Sequence, residues 1–248
     1  MSPTPKYLAV LDKFDFERPP VGVKFLATRP KKVPKWSGEV LDFCEMLAEA
    51  QQGKAFYVTQ EDFTCIGPLL LGMVESDPVR ESGRVGPKLQ LYRDVRANVR
   101  LYQHLPRMAR NSVKYVAFAP IDKLNFEPDL LIIMASVSQA EIFIRAKAYA
   151  TGETWSARGT PAVGCAWMYV YPFLSGEMNL TVTGLAFGMK SRRLFPEGRI
   201  MITIPWDRLP DILKNLEEME WVPRSYTLGR EGHKKLLEKI ITELEKEE

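Results

Sequence analysis

Three cysteines, Cys44, Cys65 and Cys165, are the side chains of this sequence best suited to chemistry. Thiolates are soft donors that match zinc, soft transition metals and iron–sulfur clusters. A thiolate beside a histidine is instead a nucleophile. Two of the three stand next to residues that let a backbone curl around a ligand. Cys65 opens Cys65-Ile66-Gly67-Pro68, and Cys165 follows Gly159-Thr160-Pro161-Ala162-Val163-Gly164. Cys44 lies in an apolar helical pattern with Leu41 and Leu47 three residues to either side, the setting of a small core hydrophobe. The gaps between the cysteines are long, so no Cys-x-x-Cys spacing marks a metal site. Burial is the usual state of an intracellular cysteine. The residues alone leave a shared metal site and three core thiols both open. A catalytic thiol is the weaker reading, because the histidines, His104 and His233, lie in no motif.

Other clusters are less specific. Arg93, Arg96 and Arg100 share one face of a helical pattern, with Arg107 and Arg110 beyond it. Guanidinium forks suit phosphates, but a basic face without aromatic readers is a poor nucleic-acid footprint. Gly184-Leu185-Ala186-Phe187-Gly188-Met189-Lys190-Ser191-Arg192-Arg193 combines two glycines with three neighbouring cations. It reads equally as the wall of a pocket or as a charged turn. Gly-x-Gly-x-x-Gly, the Walker lysine loop, His-Glu-x-x-His and Gly-x-Ser-x-Gly are all missing from the sequence. Their absence argues against common nucleotide, zinc-protease and hydrolase chemistries.

The elements that must position these residues come from an ordinary globular composition. The 248 residues are 46% hydrophobic and 26% charged. A core of that size needs no metal or disulfide staple, so a metal here would serve function. A net charge of +3 is too weak to imply a nucleic-acid partner. The longest strongly apolar run, Leu130 to Val137, is too short to span a membrane. The stretch Met1 to Lys6 lacks the apolar region of a signal peptide. An odd cysteine count with no export signal predicts a reducing, cytoplasmic location.

Strands are predicted at Pro20–Leu26, Ala55–Thr59, Lys114–Ala119, Asp129–Ala135, Asn179–Thr183 and Arg199–Ile204. Helices are predicted from Ser37 to Gln52, closed by Gly53, and from Gly67 to Met73. Another opens at Pro87 and ends before Pro106, with Tyr92, Val95, Val99 and Tyr102 on one face. Ser138-Gln139-Ala140-Glu141 reads as a capping box for a helix to about Thr151. Ala162–Phe173 reads as a helix broken by Pro172, with Cys165 in its first turn. Asp207 is expected to cap a helix through Met219, and a solvated, salt-bridged helix spans about 231–247. Strands and helices mix without strict alternation. The expectation is one α+β domain over residues 1–248, with a mixed β-sheet and packed helices.

Several of these segments, in this order, resemble the prokaryotic family known as domain of unknown function 169. Pro20-Val21-Gly22-Val23-Lys24-Phe25 resembles its opening Pro-Val-(Ala/Gly)-Val-Lys strand. Cys44-Glu45-Met46 with Ala48 and Gly53 resembles its first cysteine helix, and Cys65-Ile66-Gly67 with Leu71-Gly72 its second cysteine turn. Phe126-Glu127-Pro128-Asp129 resembles its Phe-x-Pro-Asp approach to a buried strand, and Gly164-Cys165-Ala166 its third cysteine segment. Members often carry a fourth cysteine before a Gly-Ser-Arg-like turn. Here that stretch is Ala186 to Arg192, and Phe187 or a neighbour stands in its place. The resemblance implies a three-thiolate site of Cys44, Cys65 and Cys165 with its fourth position open or otherwise filled. Open positions belong to metal sites that bind ligands or catalyse. The expectation is an iron–sulfur or metal-binding protein, with Lys24 and Arg192 as candidates to hold a small anionic ligand. The alternative is a metal-free small-molecule or regulatory domain. Neither the reaction nor the oligomeric state is set by the sequence.

Overall fold

The six apolar runs become six strands: β1 (Val21–Leu26), β2 (Phe56–Val58), β3 (Tyr115–Pro120), β4 (Leu130–Ser136), β5 (Asn179–Thr181) and β6 (Arg199–Pro205). In the computed structural model, which describes residues 6–182 and 186–247 and the side chains of 8–182 and 188–247, they form one sheet in the order β2-β3-β1-β4-β6-β5. The fold is α+β. Every strand pairing is antiparallel. The parallel component expected of a mixed sheet is confined to two isolated bridges, Lys35–Tyr57 and Leu41–Phe63. Parallel neighbours need a crossover that returns beside the strand just left. Here β1 to β2, β3 to β4 and β4 to β5 each skip one strand, which makes all neighbours antiparallel.

The helices are α1 (Phe43–Gln51), α2 (Gly67–Leu70), α3 (Pro78–Glu81), α4 (Val85–Lys88), α5 (Val95–His104), α6 (Val137–Ala148), α7 (Tyr171–Ser175), α8 (Ala186–Ser191), α9 (Leu209–Glu218) and α10 (Gly229–Leu244). Alternation along β4 feeds both faces of the sheet. Leu130, Ile132 and Met134 join one apolar cluster with α1 and all three cysteines. Leu131, Ile133 and Ala135 join another with α6, α9 and an N-terminal 3₁₀ segment, Lys6–Phe14. No helix among the described residues is long and apolar enough to cross a membrane.

Local hydrogen bonds move several helix starts away from their expected places. Leu41 is already committed to a bridge, donating to Asp62 O at 3.1 Å and accepting from Thr64 N at 3.2 Å. The helix therefore starts at Phe43, where the Asp42 N–H donates to the Glu45 carboxylate at 2.8 Å. It ends as expected at Gly53, whose φ is +92°. The long helix expected from Pro87 is broken by Gln90 at φ +57° and restarts where Asp94 accepts from Ala97 N at 2.9 Å. The box at Ser138 lies instead at Ser136 and Gln139, because β4 runs straight to Ser136.

One glycine fixes the loop that carries Cys65. Gly72 has φ +70°, and a Cβ there would sit 2.2 Å from the Ala109 carbonyl oxygen. Its own carbonyl accepts from Asn111 N at 2.8 Å, and Leu70 O accepts from Met108 N at the same distance. Gly72→Ala combines left-handed strain with a backbone collision, and should lower unfolding free energy by about 3 kcal/mol. Urea denaturation of the variant checks this.

Candidate functional site

Three separate elements deliver the thiols. Cys44 is the second residue of α1, Cys65 lies in the turn before α2, and Cys165 precedes a π-helical turn, Ala166–Val170. Such turns recur at functional sites. Two residues before Cys165 the β-branched Val163 holds φ +60°, an unusual conformation for its type. All three cysteines line one cavity of about 410 Å³, and none is in a disulfide.

The sulfurs share an electrostatic environment. Cys65 Sγ accepts the Phe43 and Gly67 N–H groups, each at 3.3 Å. These are the first N–H groups of α1 and α2. Burial pushes the Cys65 thiol up, and the two N–H groups pull it back down. Burial, then the neighbouring Cys65 and Asp42 charges, pushes Cys44 up to about 12. Cys165 is raised well above its ordinary value by burial and then by Cys65 and Cys44. All three thiols are thereby raised above the ordinary cysteine value, and Cys44 and Cys165 lie close enough to Cys65 to be raised further if it ionises. Tyr169 sits against them, one turn beyond Cys165. It is fully buried, its hydroxyl has no hydrogen-bond partner among the described residues, and its pKa is raised by burial and then by all three sulfurs.

Charged side chains close the rim and neutralise one another. Asp42 accepts the Thr64 hydroxyl at 2.5 Å and pairs with Arg192. Arg192 also reaches Glu45 at 3.4 Å and donates to Gly188 O at 3.1 Å. Arg80 pairs with Asp77 and donates to Thr64 O at 3.2 Å. The rest of the wall is largely apolar, with Ile66, Leu89, Leu91, Leu101 and Met189. Tyr92 also lines it, and its buried hydroxyl too has no partner among the described residues.

Of the expected site residues, Cys44, Cys65, Cys165 and Arg192 meet at this cavity and Lys24 does not. Val23 and Phe25 pack in the cysteine cluster, so Lys24 projects from the opposite face of β1, where it pairs with Asp129 at 3.3 Å. The described part of the stretch 184–193 borders the thiols. Gly188, Met189 and Arg192 line the cavity, and a Cβ on Gly188 would lie 3.5 Å from Cys44 Sγ. Its Gly184 and Leu185, and the Phe187 side chain, lie outside the described residues. His104 and His233 are exposed and do not line the cavity. Arg93, Arg96 and Arg100 are exposed as well. Among the described residues no group of three or more His, Cys, Asp and Glu side chains is gathered as a single-ion site. Asp42, Tyr92 and Tyr169 were not among the expected site residues, since their roles arise from contacts distant along the chain; Tyr92 was read only as part of a helix face.

A model of the uncharacterised ArCR family, domain of unknown function 169, matches residues 10–215. The chain belongs to this family. The match takes in all three cysteines and ends before α10. An uncharacterised protein of Methanocaldococcus jannaschii is 25% identical over 215 residues, covering 83% of this DUF169 chain and 90% of that protein. No solved structure gives a significant match.

Proposed function

We propose that this DUF169 protein binds an iron–sulfur cofactor through Cys44, Cys65 and Cys165, with one coordination position left open to the cavity. The observation that carries the reading is the meeting of three sequence-distant thiols at one cavity. Two further features support it. The N–H groups of Phe43 and Gly67 are directed at Cys65, and hydrogen bonds to sulfur stabilise cluster ligands and tune their potential. The Tyr169 hydroxyl lacks an acceptor among the described residues, a costly state for a buried donor, and ionised sulfurs would supply one.

A cluster and a single ion ask for different spacings of the three thiols. Tetrahedral zinc draws its thiolates to within about 4 Å of one another, whereas a cluster spreads them over separate irons. Three unpaired thiols also suit a reducing compartment. A second reading has an observation of its own. The cavity falls in the size range of small-molecule sites, its wall is mostly apolar, and its guanidinium groups are engaged by carboxylates. A metal-free binding domain would use it for a neutral ligand, since an anion at Arg192 must displace Asp42 and Glu45.

One experiment separates the two. Protein is produced and purified without oxygen, and iron, acid-labile sulfide and zinc are quantified per chain. The cluster reading expects a brown protein with iron and sulfide in comparable amounts. A colourless protein that stays metal-free after anaerobic reconstitution overturns it and leaves the second.

A further inference from the structure

Helix α10 presents an apolar stripe that nothing among the described residues covers. Leu237, Ile240, Ile241 and Leu244 recur at helical spacing and are 45%, 40%, 52% and 57% exposed. None of the 16 residues of α10 is buried. A solitary helix of this length is marginal in water and draws its stability from packing an apolar face. A stable α10 therefore needs a surface against that stripe.

The charges of α10 indicate which surface. Before Leu237, Arg230, Lys234 and Lys235 outnumber Glu231. After it, Glu238 and Glu243 outnumber Lys239 within the helix, and Glu245 and Glu247 outnumber Lys246 in the turn that follows it. This reverses the order that the helix dipole favours, with acidic residues first and basic residues last. Its ion pairs, Lys234–Glu238 at 3.9 Å and Lys239–Glu243 at 3.7 Å, also run lysine first, the weaker orientation. A second α10 laid antiparallel sets an acidic end beside a basic end at both extremities of the pair. It also opposes the two dipoles. A parallel partner would set like charge beside like charge. We propose that α10 is a dimerisation helix that pairs antiparallel with α10 of a second copy of this chain, its apolar stripe forming the seam. The family match ends at residue 215, so this interface stands outside the matched region and is independent of the thiol cavity.

Sedimentation equilibrium of the full chain tests the proposal. The expected result is a dimer that dissociates on dilution and weakens as salt rises from about 0.05 M to about 0.5 M, because its end-to-end attraction is screened. Ile240→Glu with Ile241→Glu should weaken association by at least about 100-fold while leaving near-ultraviolet circular dichroism unchanged, since that signal reports the aromatic residues of the body and α10 has none. Lys234→Glu with Lys235→Glu, and separately Glu243→Lys with Glu247→Lys, should each favour monomers. An equimolar mixture of those two charge variants should associate again. A wild-type monomer at every concentration overturns the proposal. So does a dimer indifferent to the stripe substitutions, or one that tightens with salt. A wild-type monomer whose melting temperature falls with the stripe substitutions would assign the stripe to its own chain, and overturns it equally.

Discussion

Alkylation of Cys44 in metal-free protein at about pH 8 is expected to run about a thousandfold slower than that of an unperturbed cysteine. The thiolate is the reactive form, and burial together with the Cys65 and Asp42 charges pushes the Cys44 thiol up from 9.0 to about 12. The rate should climb about tenfold per pH unit until the thiol ionises. Stability must follow the same titration. A group whose folded pKa is raised stabilises the fold fully below its unfolded value and ceases to do so as pH passes its folded value. For Cys44 the window runs from 9.0 to about 12, and a shift of that size corresponds to about 4 kcal/mol. The residue is only 6% exposed, so solvent screens little of it. Urea midpoints measured from about pH 8 upward should therefore fall, and Cys44→Ala should flatten the decline. Metal-loaded protein should lack this slope, because bound thiols are already ionised. A level profile in metal-free wild-type protein, or alkylation at the ordinary rate, would refute the burial argument.

The sequence disclosed the strands because an antiparallel sheet covered on both faces demands unbroken apolar runs, and β4 is one. It disclosed the cysteines as candidates, since Gly and Pro mark places where backbone bends. It did not disclose that they meet. Cys44 looked like core and is core, 6% exposed in the main apolar cluster, yet it also lines the cavity. One sulfur can do both when a cavity opens beside a packed helix. Helix starts were misplaced wherever a cap depended on what came before. Ser136 caps α6 only because β4 ends there, and Asp42 starts α1 only because Leu41 is bridged to Phe63. Arg192 looked like an anion clamp and is held by Asp42 and Glu45, partners more than a hundred positions away that no local pattern reveals. Lys24 failed for a simpler reason. Adjacent residues of a strand face opposite sides, and its neighbours Val23 and Phe25 had already taken the cysteine side.

Cys65→Ser is expected to abolish iron binding while changing stability by no more than about 1 kcal/mol. The serine hydroxyl can accept the Phe43 and Gly67 N–H groups that now point at Cys65 Sγ, so the local backbone keeps its hydrogen bonds. It cannot readily become an anion, so the soft ligand is lost. Cys65→Ala is the control. It leaves both N–H groups without an acceptor and should cost about 1–3 kcal/mol more than serine, with the same loss of iron. Cys165→Ser should also lose iron, since Cys165 lines the same cavity. Cys44→Ser should lose iron and stability together, because its hydroxyl enters the apolar core on α1. The diagnostic is thus a contrast between two measurements across three positions. Iron per chain falls at all of them, and the urea midpoint falls chiefly at Cys44. Full iron content in Cys65→Ser removes Cys65 from the ligand set and with it the three-thiolate centre. A large drop in midpoint for Cys65→Ser, with iron lost in proportion to unfolded protein, would make Cys65 a structural thiol.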